Sequence, residues 1–110
     1  MIESKVTSSS LFFEAIARKI EGDPGLLNVP LENIERWLAN AHTAPHRLRQ
    51  WREIILRAAD DARPEGLSEL LNLLRSQNED ALHLKSFDPF PGILTSKERQ
   101  EILLQCAYAH

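Results

Sequence analysis

The apolar residues of this chain recur at intervals of three and four, and no stretch alternates at two. Three-and-four spacing returns side chains to one face of an α-helix, whereas a half-buried strand needs sustained period-two alternation of β-branched or aromatic residues. Phe12, Ala15, Ile16 and Ile20 make one such face. Leu31, Ile34, Leu38 and Ala41 make a second, with Trp37 beside it. Leu48, Trp51, Ile55, Ala58, Ala59 and Ala62 make a third, Leu67, Leu70, Leu71 and Leu74 a fourth, and Ile102, Leu103 and Cys106 a last.

Helix-starting and helix-stopping residues separate these faces. Ser8, Ser9 and Ser10 offer hydroxyls to cap a helix near Leu11, and Gly22 suits its end. Asp23-Pro24-Gly25 leads into one turn at Leu26-Leu27, and Pro30 opens the second helix. Thr43 caps the third, with Pro45 in its permissive first turn, and Arg63-Pro64 breaks the pattern before the fourth. Asn78 caps a short helix from Glu79 to Lys85. Thr95 and Glu98 have the spacing of a reciprocal capping box. The reading is all-α: a compact orthogonal array of five to six short helices with no sheet, residues 8–110 forming a single helical domain behind a flexible N-terminal arm, 1–7.

A chain of 110 residues, 43% apolar and 26% charged, has room for one core and no more. Its net charge of -3 sets up no global attraction to nucleic acid or anionic lipid. Cys106 is the only cysteine, which fits a reducing compartment better than a disulfide scaffold. Met1 to Ser10 lacks the pattern of a signal peptide, and no apolar run approaches the ~20 residues that span a bilayer. These features predict a soluble, cytoplasmic protein with no membrane partner.

The densest local charge is Arg36, Arg47, Arg49, Arg52 and Arg57, with His42 and His46 between two helices. Arginines on the second of two helices, across residues 30–60, have the layout of a helix-turn-helix reader of phosphate. Against this, Arg49, Glu53 and Arg57 are spaced to form an ion-pair ladder on a solvated face. The connecting segment also lacks the glycine common in that turn.

His42 and His46 are four residues apart, but Thr43 and Pro45 place a helix boundary between them, so no metal site is expected. Cys106 falls on an apolar stripe, where a lone cysteine is a small core side chain. Neighbouring acids such as Asp60-Asp61 and Glu79-Asp80 point apart on a helix. No catalytic residue, cofactor or small-molecule substrate is implied.

Phe87-Asp88-Pro89-Phe90-Pro91-Gly92 is a stiff segment that loses little entropy on docking. It reads as a lid that inserts Phe87 and Phe90 between the fourth and sixth helices, or alternatively as a knob for a partner. Trp37 and Trp51 read as core packing, or as interface anchors if they are exposed beside the arginines. The leucine stripe, with Leu73 beside it, carries more apolar surface than one face needs.

The stretch Val29-Pro30-Leu31-Glu32-Asn33-Ile34-Glu35-Arg36-Trp37-Leu38, continued by His42-Thr43-Ala44-Pro45-His46-Arg47-Leu48, resembles small bacterial all-α proteins of unassigned function. The resemblance implies a bacterial source and carries no functional residue. The function expected from the residues is a protein–protein interaction or regulatory module without catalytic activity, bound to a protein partner or to itself as a homodimer. Its candidate surface is Arg36, Trp37, His46, Arg47, Arg49, Trp51 and Arg52, with Phe87 and Phe90 second. Nucleic-acid binding through the arginine patch is the alternative.

Overall fold

A computed structural model describes residues 8–40 and 45–108, with side chains from 10–40 and 45–105. The N-terminal arm, His42, the Thr43 cap, the side chain of Cys106 and His110 therefore lie outside the described residues.

Among the described residues six α-helices follow one another: α1 Ser8–Gly22, α2 Asn28–Ala39, α3 Pro45–Ala58, α4 Pro64–Arg75, α5 Glu79–Lys85 and α6 Ser96–Tyr108. A 3-10 turn, Pro24–Leu27, joins α1 to α2. There is no strand among the described residues. The fold is all-α, as the periodicity predicts.

The local chemistry explains most boundaries. Asp23 Oδ1 accepts from the Gly25 N–H at 3.2 Å and starts the 3-10 turn. The Asn28 N–H in turn donates to two carbonyls of that turn, Gly25 O and Leu26 O. The supply of acceptors lets α2 start at Asn28, two residues before the proline expected to open it. Pro30 sits in the first turn, where its missing N–H costs nothing. Asn78 Oδ1 caps α5 through the Ala81 N–H at 2.8 Å. Thr95 Oγ1 accepts from the Glu98 N–H at 3.1 Å while Glu98 Oε1 accepts from the Thr95 N–H at 2.7 Å, the reciprocal box that starts α6.

The helices pack in an order set by their apolar faces: α3 lies against α2 and α4, and α1 lies against α4 and α6. Ile20, Leu27, Ile34, Leu48, Trp51, Ile55, Leu70 and Leu74 are sealed inside. Leu67 and Leu73 are half-buried against this core. The crossing of α3 and α4 is close because Gly66 has no side chain. A Cβ there would lie 2.3 Å from the carbonyl oxygen of Arg57.

Two parts of the expected core are on the surface. Ala59 and Ala62 are exposed because α3 ends at Ala58, where Asp60 Oδ1 takes the Ala62 N–H at 3.0 Å and bends the chain. Leu103 is 53% exposed instead of facing inward. Helix α6 leans on α1 alone among its major neighbours, and Ile102 is its one buried residue among the described side chains.

Candidate functional site

The surface expected along α2 and α3 is divided by the fold. Trp51 is fully buried and leaves that surface. Its indole N–H donates to Leu84 O at 3.0 Å, and its ring meets Phe90 edge to face at 5.3 Å. Phe90, 2% exposed, leaves it too. A tryptophan in the middle of an apolar helical stripe is pulled into the core because its large area outweighs its single polar atom.

The remaining candidates stay outside the core, separated into local contacts. Arg36 is exposed and donates to Asn33 Oδ1. Trp37 is half-buried. Arg47 donates to Gln50 at 2.9 Å, and Arg52 faces Glu35 at 3.5 Å. Arg49, His46 and Arg57 are exposed. Among the described residues no ion pair joins Arg49, Glu53 and Arg57, so the ladder that their spacing allows is not formed.

Phe87 is half-buried and meets the His83 ring edge to face at 5.6 Å. The Phe87–Gly92 segment does act as a lid, but not over the gap between α4 and α6. Phe90 instead descends onto Trp51 of α3 and lines a cleft with Phe12, Phe13 and Ile16 of α1.

Polar side chains from distant helices hold this strap. The buried Asn33 of α2 donates through one nitrogen to Pro89 O at 3.0 Å and Pro91 O at 2.8 Å. Prolines bring carbonyls but no N–H, so a run containing Pro89 and Pro91 is rich in acceptors that need an outside donor. Lys19 of α1 supplies another, reaching Ile93 O and Glu98 Oε1 at 2.7 Å each. The bond from Lys19 to Glu98, followed by that from the Thr95 N–H, holds the Glu98 carboxyl below its ordinary range. Lys85, 3% exposed, closes the end of α4 by donating to Leu74 O at 3.1 Å and Ser76 O at 2.7 Å. Its ammonium also lies 5.0 Å from the Phe13 ring centre, and burial pushes its pKa down. Every fully buried side-chain polar atom among the described residues has a partner.

Beside the strap, α1 and α6 leave a cleft of about 240 Å³, lined by Phe12, Phe13, Ile16, Phe90 and Leu94 with Asp88 and Arg99 among them. Asp88 is half-buried; burial raises its pKa, and the Phe90 N–H on Oδ1 at 2.9 Å only partly offsets this. The Arg99 guanidinium lies 5.9 Å from the Phe12 ring centre. Asp88 and Arg99 were not among the candidates read from the sequence. The one local signal is Asp88, an acid inside an aromatic-proline run; Arg99 has none.

The other unusual surface is α6. Leu103 and Leu104 are 53% and 55% exposed, the two most exposed large apolar side chains described. They are adjacent and so point in different directions around the helix. From Ile102 to Tyr108 the sequence carries no charge.

Among the described residues there is no cluster of three or more metal-ligating side chains, and no helix is long and apolar enough to cross a membrane. No family model, curated protein or solved structure matches the chain.

Proposed function

We propose that this chain is a helical interaction module that docks protein through the outward side of α6, and that the occupant is a second copy of the chain. The observation that carries this is the pair Leu103 and Leu104, each more than half exposed on a helix that buries one described residue of its own. Isolated exposed leucines are ordinary, but two in succession on a loosely seated helix leave apolar area that association removes from water.

The absence of charge from Ile102 to Tyr108 supports self-pairing. Two copies meeting about a two-fold axis bring the same residues together, so a charged patch would face its own sign. This half of α6 avoids that penalty. The charged first half, with Lys97, Glu98, Arg99 and Glu101, forms the polar rim.

Sedimentation equilibrium over a concentration series tests the proposal. The wild type is expected to populate a dimer, and a Leu103→Glu/Leu104→Glu double variant is expected to be monomeric with unchanged helix content by circular dichroism. A wild type that stays monomeric at the highest concentration, or a double variant that still dimerises, overturns it.

A second reading keeps nucleic acid as the partner. It is favoured by Arg49 and Arg57, cations with no carboxylate partner among the described residues. It requires affinity for duplex that falls steeply with salt and a salt slope that Arg49→Ala and Arg57→Ala each reduce by about one. Affinity independent of salt removes it.

A further inference from the structure

We propose that the cleft between α1, α6 and the Phe87–Gly92 strap binds a small zwitterion with an apolar side chain, of the class of an aromatic or branched α-amino acid. The assignment rests on an acid and a base that share the cleft wall without pairing.

The volume sets the size of the occupant. About 240 Å³ is below the ~300–1,000 Å³ typical of pockets for drug-sized ligands, so the ligand is a small molecule of few heavy atoms. The wall sets its body: Phe12, Phe13, Ile16, Phe90 and Leu94 present rings and branched chains, which favour an apolar group over a sugar or a phosphate.

The two charges set its head. No ion pair joins Asp88 to Arg99, although both line the cleft. Asp88 uses Oδ1 for the Phe90 N–H, while Oδ2 accepts no hydrogen bond among the described residues and is not sealed away. Among the described residues the Arg99 side chain meets only the Phe12 ring, which leaves its guanidinium able to take a carboxylate through two parallel bonds. A simple anion would be drawn to Arg99 but repelled by Asp88, and a simple cation the reverse. A molecule carrying both an ammonium and a carboxylate satisfies the two together. The half-buried position of Asp88 strengthens the preference, since a desolvated carboxylate gains more from an added cation than an exposed one does.

Titration of the full-length, isotope-labelled chain with L-phenylalanine, followed by amide chemical shifts, tests this. Saturable shifts are expected at Phe90, Gly92 and Arg99. Two probes each lack one charge: 3-phenylpropionate has no ammonium and phenethylamine no carboxylate. Both are expected to bind at least tenfold more weakly than phenylalanine. Asp88→Asn keeps the acceptor for Phe90 and should cost phenylalanine tenfold or more while leaving phenylpropionate no weaker. Arg99→Gln should do the same, leaving phenethylamine no weaker. The proposal is overturned if phenylalanine produces no saturable shift at these residues, or if either one-charge probe binds as tightly as phenylalanine. It is also overturned if the two variants leave all three affinities unchanged.

Discussion

Replacing Asn33 tests whether the strap is held by hydrogen bonds or merely by packing. In Asn33→Ala the carbonyls of Pro89 and Pro91 lose the nitrogen that serves both, at 3.0 and 2.8 Å. Pro91 is exposed and its carbonyl can turn to water at little cost, so the penalty falls on the buried Pro89. An orphaned buried acceptor costs about 1–3 kcal/mol. The lost side-chain volume adds roughly 1 kcal/mol more. The sum, about 2–4 kcal/mol, is a large share of the 5–15 kcal/mol that holds a typical domain together. At about 4 °C per kcal/mol the melting midpoint should fall by roughly 8–16 °C. Asn33→Leu separates the two contributions, because it restores the volume without restoring the donor. Urea titrations of both variants, followed by the fluorescence of the buried Trp51 together with Trp37, give the comparison. Both are expected to be destabilised, the leucine variant by about 1–3 kcal/mol. A leucine variant as stable as the wild type would show that the site needs only volume and not a donor.

Three further outcomes follow from the same geometry. Gly66→Ala should destabilise by about 1–3 kcal/mol, because its Cβ meets the Arg57 backbone at 2.3 and 2.7 Å, which outweighs the small gain in helix propensity. Gly22→Ala, with nothing within 4 Å of the new Cβ, should be neutral or better, and urea midpoints that failed to separate the two would contradict the close crossing. Burial raises the pKa of Asp88 in the folded chain, so the folded state binds its proton more tightly and stability from this group falls as pH rises above about 3.8. Asp88→Asn should therefore match the wild type in acid and become the more stable of the two toward neutral pH, read from urea midpoints across that range. Leu103→Glu and Leu104→Glu should each change monomer stability by less than about 0.5 kcal/mol, because both side chains are more than half exposed; a larger loss, measured at dilutions where the wild type sediments as a monomer, would place them in the core.

Much of the fold is legible in local spacing. Asn78 caps α5 and Thr95 pairs with Glu98 because both devices act within one turn, where sequence distance and spatial distance coincide. The side of α6 that faces inward is not legible in this way. Leu103 lies on an apolar stripe, yet which part of the stripe is covered depends on how α6 leans against α1. Trp51 shows the same limit from the other side, since only the packed core separates a buried anchor from an exposed one.

The residues that shape the cleft are hidden for a different reason. Asn33 and its carbonyl acceptors are separated by 56 and 58 residues, and Lys19 and Ile93 by 74. Backbone carbonyls have no signature in a sequence, so a polar side chain that serves them reads as one more solvated residue. Asp88 was in plain view within an aromatic and proline run. Arg99, which lines the same cleft, enters it only through the docking of α6 beside α1.

Docking through α6 is the proposal on which the function rests. Intermolecular nuclear Overhauser effects in a sample mixing carbon-13-labelled and unlabelled chains test it directly, because only contacts between copies survive the isotope filter. Such effects are expected on the methyl groups of Leu103 and Leu104. Their absence, or intermolecular effects confined to α2 and α3, would contradict it.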